Sequence, residues 1–123
     1  MRLFRNLLIL FLISFPWMSF AETRLLMAEE DGCVWCARWD AEISEIYPKT
    51  TEGKAAPLVR FDMHQSPPDN ITLTTRVRFS PTFILVSDGK EIDRIEGYPG
   101  EDFFWGLLGM MLGRAGIEYE KTG

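Results

Sequence analysis

The stretch TRLLMAEEDGCVWCARWD, residues 23–40, passes from an apolar run through a polar loop to two cysteines at the head of a helical pattern. Thr23–Ala28 is short and mainly apolar, as a buried strand is. From Cys33 to Tyr47, apolar side chains recur at the spacing of one helix face. The sequence therefore predicts a strand, a loop and a helix, with Cys33 and Cys36 at the start of the helix.

These two cysteines are the only ones among the 123 residues. An intramolecular disulfide must therefore join Cys33 to Cys36, and so small a loop restrains the unfolded chain little. A structural cross-link would gain little from this spacing. We interpret the pair as a redox switch between a dithiol and a disulfide.

The two cysteine positions differ in their expected surroundings. Cys33 lies at the predicted helix N-terminus, where free backbone N–H groups and the positive end of the helix dipole stabilise a thiolate. Cys36 follows one turn later and faces inward. Cys33 is therefore predicted to be the exposed nucleophile, and Cys36 the thiol that resolves a mixed disulfide.

Three other interpretations of the pair conflict with the rest of the sequence. A zinc site needs four ligands, and His64 is the only histidine. Haem attachment requires a histidine after the second cysteine, where this chain has Ala37. The polar loop before Cys33 argues against an inert buried pair. No metal site is predicted.

Pro48 cannot continue the first helix, and five further elements are predicted beyond it. They are strands over Pro57–Met63, Thr82–Val86 and Glu91–Glu96, a short helix over Ile71–Val77 capped by Asp69 or Asn70, and a helix over Glu101–Gly113. The last two strands form a hairpin, and broken alternation in the second predicts a bulge or an edge position. The order β-α-β-α-β-β-α implies an α/β fold, with a mixed four-stranded central sheet flanked by helices on both faces.

The first 21 residues have the pattern of an export signal. Two arginines precede the apolar run LLILFLISF at residues 7–15, and Ser19-Phe20-Ala21 places small residues where a signal peptidase cleaves. We therefore predict a signal peptide over 1–21 and one domain over 22–123. A membrane span needs about 20 apolar residues, so no stable span is expected after cleavage, and an uncleaved N-terminal anchor is the alternative.

A proline stands directly before the third predicted strand, in Phe79-Ser80-Pro81-Thr82-Phe83. Proline donates no ladder hydrogen bond and is unusual in that place. A cis Ser80–Pro81 bond would leave the backbone of Ser80 free to pair with an extended substrate. Because only about 5–6% of X–Pro bonds are cis, the residues alone favour an ordinary trans proline at a strand start.

The cysteine pair after a strand, together with RVRFSPTF at residues 76–83, resembles the thioredoxin superfamily, and the resemblance spans residues 23–116. In that family a cis-proline loop lies beside the C-x-x-C pair and helps to bind substrate, which implies this role for Ser80 and Pro81. The segment GYPGEDFFW, residues 97–105, further resembles the small periplasmic thioredoxins of sulfur-oxidation (Sox) systems. That resemblance implies a periplasmic location and, as substrate, a carrier protein of sulfur oxidation whose reactive cysteine is kept reduced.

Three departures from the family pattern accompany the resemblance. The strand and helix that open a full thioredoxin are expected to be missing, because residue 22 lies almost at the strand before the cysteines. Met27 stands where thioredoxins carry a buried aspartate, so proton transfer by that acid is not expected. Val34-Trp35 replaces the usual Gly-Pro between the cysteines, which leaves the reduction potential open.

Three further features each admit two interpretations. Trp35 is either an apolar contact for a protein substrate or packed on its own domain. His64 is either a proton shuttle or a surface residue. The acidic residues 29–31 either oppose a thiolate by like-charge repulsion or form a solvated loop. Three glycines of the last helix each weaken it by about 1 kcal/mol and would let another chain approach closely: Gly106, Gly109 and Gly113.

We predict a periplasmic thiol–disulfide oxidoreductase that reduces disulfides or mixed disulfides on specific exported proteins. Nothing in the sequence binds a nicotinamide or a flavin, so no cofactor is expected, and the electrons are expected from a membrane thiol carrier. The formal net charge of −5 argues against nucleic acid as a partner. The rival functions are a disulfide donor or isomerase, and a metallochaperone that binds Cu(I) through both thiolates.

Overall fold

A computed structural model of the protein describes residues 12–14, 22–68 and 70–120. The predicted signal peptide, apart from 12–14, lies outside the described residues, as does Asp69, one of the two predicted helix caps. No helix in these ranges is long and apolar enough to span a membrane. The strands and α-helices, in chain order, are β1 (Thr23–Glu29), α1 (Val34–Trp39), α2 (Thr51–Ala55), β2 (Leu58–Asp62), β3 (Thr82–Ser87), β4 (Lys90–Glu96) and α3 (Glu101–Arg114).

The four strands form one mixed sheet in the order β2-β1-β3-β4. β1 runs parallel to β2 and antiparallel to β3, and β3 forms the predicted hairpin with β4. The pairing register of this hairpin shifts between Leu85 and Val86, and β4 lies at the edge of the sheet. Both features agree with the broken alternation in the sequence of β4. The predicted α/β fold with a mixed four-stranded sheet is confirmed.

One face of the sheet carries the main core and all of the described helices. Alternate side chains of β1 and β3, among them Met27 and Phe83, pack there against α1 and α3. Trp39 of α1 lies at the centre, with its ring centroid 5.4 Å from that of Phe83 and 5.8 Å from that of Phe104. Aromatic side chains bury large areas. This packing fixes α1 on the sheet and turns Cys36 toward the core.

The opposite face is covered by an irregular segment, so the predicted helix over Ile71–Val77 and the prediction of helices on both faces are wrong. Ile71, Leu73 and Val77 pack on this face as parts of an extended chain. Thr72 forms an isolated bridge to Lys90, with its N–H donating to the carbonyl of Gly89 at 2.7 Å. Most residues of the segment are β-branched, which disfavours a helix and suits an extended chain.

A mostly buried ion pair on β4 holds this segment in place. Arg94 and Glu91 are joined at 2.6 Å, and their side chains are only 11% and 4% exposed. The carboxylate of Glu91 accepts from the hydroxyl of Thr74 at 2.8 Å, while Arg94 donates to the carbonyl of Thr75 at 2.9 Å. The pair therefore fixes the chain that leads toward Ser80 and Pro81.

This ion pair predicts a pH dependence of stability. Burial raises the pKa of Glu91, but the hydrogen bonds from Arg94 and Thr74 outweigh it, so that the pKa lies below its ordinary value of 4.5. A lowered pKa contributes stability that is complete above 4.5 and is lost as the pH falls through the folded value. We expect Glu91→Gln to lose less stability than the wild type between pH 5 and pH 3 in urea melts. Equal losses in the two proteins would contradict this.

The chain after α1 forms three short helical elements, where the sequence predicts only the rest of one continuous helix. The helix predicted over Cys33–Tyr47 continues beyond Trp39 as a π-helical turn, Asp40–Ser44, and Pro48 lies within a 3-10 turn, Tyr47–Lys49. The short helix α2 follows, in a part of the chain for which no element was predicted. The hydroxyl of Thr50 caps it by accepting from the Gly53 N–H at 2.9 Å.

Candidate active site

Cys33 and Cys36 are joined by a disulfide at the N-terminus of α1. The sulfur–sulfur distance is 2.17 Å and the Cα atoms are 5.2 Å apart. Cys33 is the N-cap residue and is partly exposed, whereas Cys36 is 5% exposed and belongs to the main core. The backbone N–H of Cys36 donates to the sulfur of Cys33 at 3.1 Å. One sulfur is therefore accessible and held by a backbone donor, and the other is covered.

The loop that presents Cys33 follows from the residues after β1. Gly32 has φ +74°, a left-handed conformation that glycine adopts without the Cβ penalty. The chain turns there, so that the N–H of Cys33 donates to the carbonyl of Glu30 at 3.3 Å. The first helical hydrogen bond then runs from Ala37 N–H to the Cys33 carbonyl at 3.1 Å. The strand-to-helix turn thus places Cys33 at the end of the sheet.

Ser80 and Pro81 reach the same site from the start of β3. The Ser80–Pro81 peptide bond is cis. Pro81 is buried and Ser80 is partly exposed. The Ser80 hydroxyl donates to Oε1 of Glu30 at 2.8 Å. This hydrogen bond joins the cis-proline loop to the loop that precedes Cys33, so Ser80 and Pro81 belong to the same site as the cysteine pair.

The loop before α3 is connected to the cis-proline loop and to the π-helical turn after α1. The N–H of Gly97 donates to the carbonyl of Pro81 at 2.7 Å, and the Tyr98 hydroxyl donates to Glu42 at 3.2 Å. Burial and then the neighbouring Glu42 carboxylate raise the pKa of Tyr98 to about 12. The phenol therefore stays protonated and able to donate. The GYPG segment, residues 97–100, is fixed against the start of β3 and the turn after α1.

The surface beside the disulfide is apolar. Val34 is 75% exposed and Trp35 is 51% exposed, and Phe79 of the cis-proline loop is 54% exposed. The guanidinium of Arg38 lies 5.6 Å from the centroid of the Trp35 ring. Trp35 is therefore a half-exposed surface side chain and not part of the core. Exposed aromatic side chains of this kind are common contacts in protein interfaces.

The acidic loop is organised by specific partners. Glu29 and Asp40 both form ion pairs with Arg60, whose guanidinium carbon lies 5.8 Å from the Trp39 ring centroid. The carboxylate of Glu30 bonds Ser80 and lies 2.7 Å from Nε2 of His64. The hydrogen bonds from His64 and Ser80 lower the pKa of Glu30, against a smaller opposing effect of desolvation. Of the residues 29–31, only Asp31 fits the predicted solvated loop.

One feature of the site was missed by sequence reasoning. Glu30 and His64 were considered singly, although they form one hydrogen-bonded group with Ser80. No sequence spacing predicts this, because 34 and 50 residues separate Glu30 from its partners.

Met27 is fully buried in the core, so the described site has no acid at the position where the family resemblance implies an aspartate.

The glycine face of α3 is partly covered by the protein's own C-terminal residues. A Cβ atom added at Gly109 would lie 3.1 Å from the hydroxyl of Tyr119, whereas Gly106 and Gly113 have no atom within 4 Å of that position. The close approach that these glycines were expected to permit is therefore made, at Gly109, by residue 119 of the same chain.

No protein-family model and no curated protein sequence matches the chain. Among solved structures, it is similar to the reduced form of the periplasmic thioredoxin SoxS from Paracoccus pantotrophus. Sequence identity is 52% and the TM-score is 0.75, over 76% of this chain and 99% of that chain. The chain belongs to the thioredoxin superfamily. Fasciola hepatica thioredoxin has 20% identity and a TM-score of 0.54, over 73% of this chain and 81% of that chain, and supports the fold alone.

Membership of the thioredoxin superfamily agrees with the geometry of the site. The thioredoxin-like chain has its C-x-x-C pair at the junction of β1 and α1, beside a cis-proline loop. It is a thiol–disulfide oxidoreductase that acts on protein thiols. The predicted resemblance to the periplasmic Sox thioredoxins is confirmed.

Proposed function

We propose that this thioredoxin-like protein is a periplasmic reductase in which Cys33 is the nucleophile and Cys36 the resolving thiol. The observation that carries this assignment is the asymmetry of the pair. Cys33 is accessible at the N-cap of α1, and Cys36 lies beneath it at 5% exposure. A thiolate at Cys33 would also accept the N–H of Cys36, which lies 3.1 Å from the Cys33 sulfur.

The proposed reaction starts from the reduced enzyme. The Cys33 thiolate attacks one sulfur of a substrate disulfide, forming a mixed disulfide and releasing the other substrate sulfur as a thiolate, which takes up a proton. Cys36, having lost its proton to solvent, then attacks the sulfur of Cys33, and the second substrate sulfur leaves as a thiolate that takes up a proton. Two electrons and two protons pass to the substrate, and the Cys33–Cys36 disulfide remains on the enzyme.

The next turnover requires a donor of two electrons. We propose a membrane thiol carrier, because a dithiol can regenerate the Cys33–Cys36 dithiol by the same exchange reaction. This proposal includes a signal peptide over residues 1–21, a domain over residues 22–123, and a periplasmic location. The similarity to a periplasmic thioredoxin supports the location.

We propose that the substrates are cysteine-containing exported proteins, among them a carrier protein of sulfur oxidation whose reactive cysteine must be kept reduced. The 52% identity to SoxS supports this choice. Trp35 supplies an exposed aromatic contact, and the cis Ser80–Pro81 loop presents the backbone of Ser80 to an extended substrate segment.

Cys36→Ser is expected to trap the natural substrate. A serine cannot attack the mixed disulfide, so the complex formed through Cys33 should persist and appear on non-reducing gels of a periplasmic extract. Mass spectrometry should identify a sulfur-oxidation carrier protein among the trapped partners. The Cys33→Ser/Cys36→Ser double variant is the control and should trap none. Complexes with that control, or no complex with the single variant, would refute the assignment.

The reduction potential distinguishes a reductase from a disulfide donor. A value near −270 mV, as in thioredoxin, supports reduction of substrates, whereas a value near −120 mV, as in strong periplasmic oxidants, supports donation. Equilibration with glutathione or dithiothreitol buffers, followed by alkylation of free thiols, measures it.

A further inference from the structure

Glu30 bonds to three separate parts of the site through three of its own atoms. Its carbonyl oxygen accepts from the Cys33 N–H at 3.3 Å. Its Oε1 accepts from the Ser80 hydroxyl at 2.8 Å, and its Oε2 lies 2.7 Å from Nε2 of His64. A single residue thus connects the turn before Cys33, the cis-proline loop and the chain just after β2.

The bonding around Ser80 leaves its own backbone free. The carbonyl of Phe79 accepts from the Thr82 hydroxyl at 2.6 Å, and the carbonyl of Pro81 accepts from the Gly97 N–H at 2.7 Å. Within residues 22–68 and 70–120, the N–H and carbonyl of Ser80 have no hydrogen-bond partner. The side chain of Ser80 is therefore tied while its backbone remains available to an extended chain.

We propose that Glu30 is a positioning residue that holds the backbone of Ser80 in a fixed place relative to Cys33. A substrate chain paired with Ser80 would then present its sulfur to Cys33 without first ordering the cis-proline loop. A loop that is ordered before binding avoids the entropy cost of ordering it on association. This inference rests on the proposed reductase function and adds the means by which substrate is aligned.

His64 orients the Glu30 carboxylate for this role. With one oxygen of Glu30 engaged by the imidazole, the other faces the Ser80 hydroxyl. The backbone of His64 is itself held by Asp62, whose side chain accepts from the backbone N–H of His64 at 2.8 Å. The same hydrogen bonds keep Glu30 ionised, and a hydrogen bond to an ionised acceptor is stronger than one between neutral groups.

Kinetics with two oxidised probes test the proposal. Insulin must place a chain on the enzyme, whereas 5,5′-dithiobis(2-nitrobenzoate) is a small disulfide with no chain to pair. We expect Glu30→Ala to raise the KM for insulin about three- to tenfold, as loss of one typical hydrogen bond would. Its kcat and its rate constant with the small disulfide should equal those of the wild type. Ser80→Ala should raise KM similarly, and the double variant no further, because both remove one interaction.

Two variants serve as matched controls. Glu30→Gln keeps an acceptor oxygen for Ser80 and should restore KM to within about twofold of the wild type. Asp31 is exposed in the same loop and has no side-chain hydrogen bond among the described residues, so Asp31→Ala should leave KM unchanged. Like Glu30→Ala, the Asp31→Ala substitution removes one negative charge from this loop.

The outcomes separate this inference from the function on which it rests. A wild type that does not reduce insulin would refute both. A wild type that reduces insulin, with Glu30→Ala equal to it in KM, would refute the positioning role alone. Equal losses with insulin and with the small disulfide, or additive effects of Glu30→Ala and Ser80→Ala, would show a general structural role for Glu30 and would also refute the proposal.

Discussion

Replacing Cys33 by serine should lower the rate of insulin reduction by at least about a thousandfold, to the rate of the uncatalysed reaction with dithiothreitol. A serine hydroxyl stays protonated at neutral pH and cannot attack a disulfide. Cys36 is not expected to substitute for it, because this residue is only 5% exposed and lies in the core, where a substrate does not reach its sulfur. The turbidity assay for reduced insulin, with dithiothreitol as electron donor, measures the effect.

The fold of the Cys33→Ser variant must be shown to be intact. The C-x-x-C disulfide closes a very short loop, so its loss should change stability little. Ala41→Ser is the matched control, because it introduces the same hydroxyl at an exposed position of the π-helical turn after α1. The control should reduce insulin at the rate of the wild type. Substantial insulin reduction by Cys33→Ser would show that Cys33 is not the nucleophile.

The sequence predicts best those elements whose pattern follows directly from burial. β1 and β3 are short apolar runs because both of their faces are covered, and both were predicted within one or two residues. The cysteine pair was placed correctly at the start of α1. There the sequence changes from a continuous apolar run to apolar residues at every third or fourth position, which is the spacing of one helix face.

The segment Ile71–Val77 was predicted wrongly because its apolar residues fit two periods. Leu73 and Val77, four residues apart, can share a helix face, whereas Ile71, Leu73 and Val77 all fall on alternate positions of an extended chain. The extended conformation is stabilised by partners distant in sequence, namely the Gly89 carbonyl and the ion pair of Glu91 with Arg94. No local pattern contains these contacts. The Glu30–His64–Ser80 group was not predicted for the same reason, because its members lie on three segments that are distant in sequence.

The short helix α2 was missed for a different reason. A helix of five residues has too few turns to show an apolar period, and it depends on its cap and its surroundings. Here Thr50 caps the helix, and the Tyr47 hydroxyl donates to the carbonyl of Ala56 at 2.6 Å. These two bonds enclose a glycine, Gly53, whose role the sequence does not reveal.

Gly53→Ala should destabilise the protein strongly, although alanine is the better helix former. A Cβ atom at this position would lie 1.8 Å from the carbonyl oxygen of Tyr47 and 2.7 Å from its carbonyl carbon. Both are backbone atoms, so no change of side-chain rotamer can relieve the overlap. The 3-10 turn would have to move away from α2, and Tyr47 would have to leave its place in the core. Overpacking of this kind costs about 3 kcal/mol or more.

Gly106→Ala provides the matched comparison, since Gly106 is exposed within α3 and has no atom within 4 Å of an added Cβ. There the helix propensity acts alone and should stabilise the protein by up to about 1 kcal/mol. For a domain of this size, thermal melts should show Tm lowered by at least about 10 °C for Gly53→Ala and equal or raised for Gly106→Ala. Because the two substitutions are chemically identical, opposite signs would point to the close contacts at Gly53, above all that with the Tyr47 carbonyl. If both variants melted at the wild-type temperature, the close approach of Tyr47 to Gly53 would be disproved.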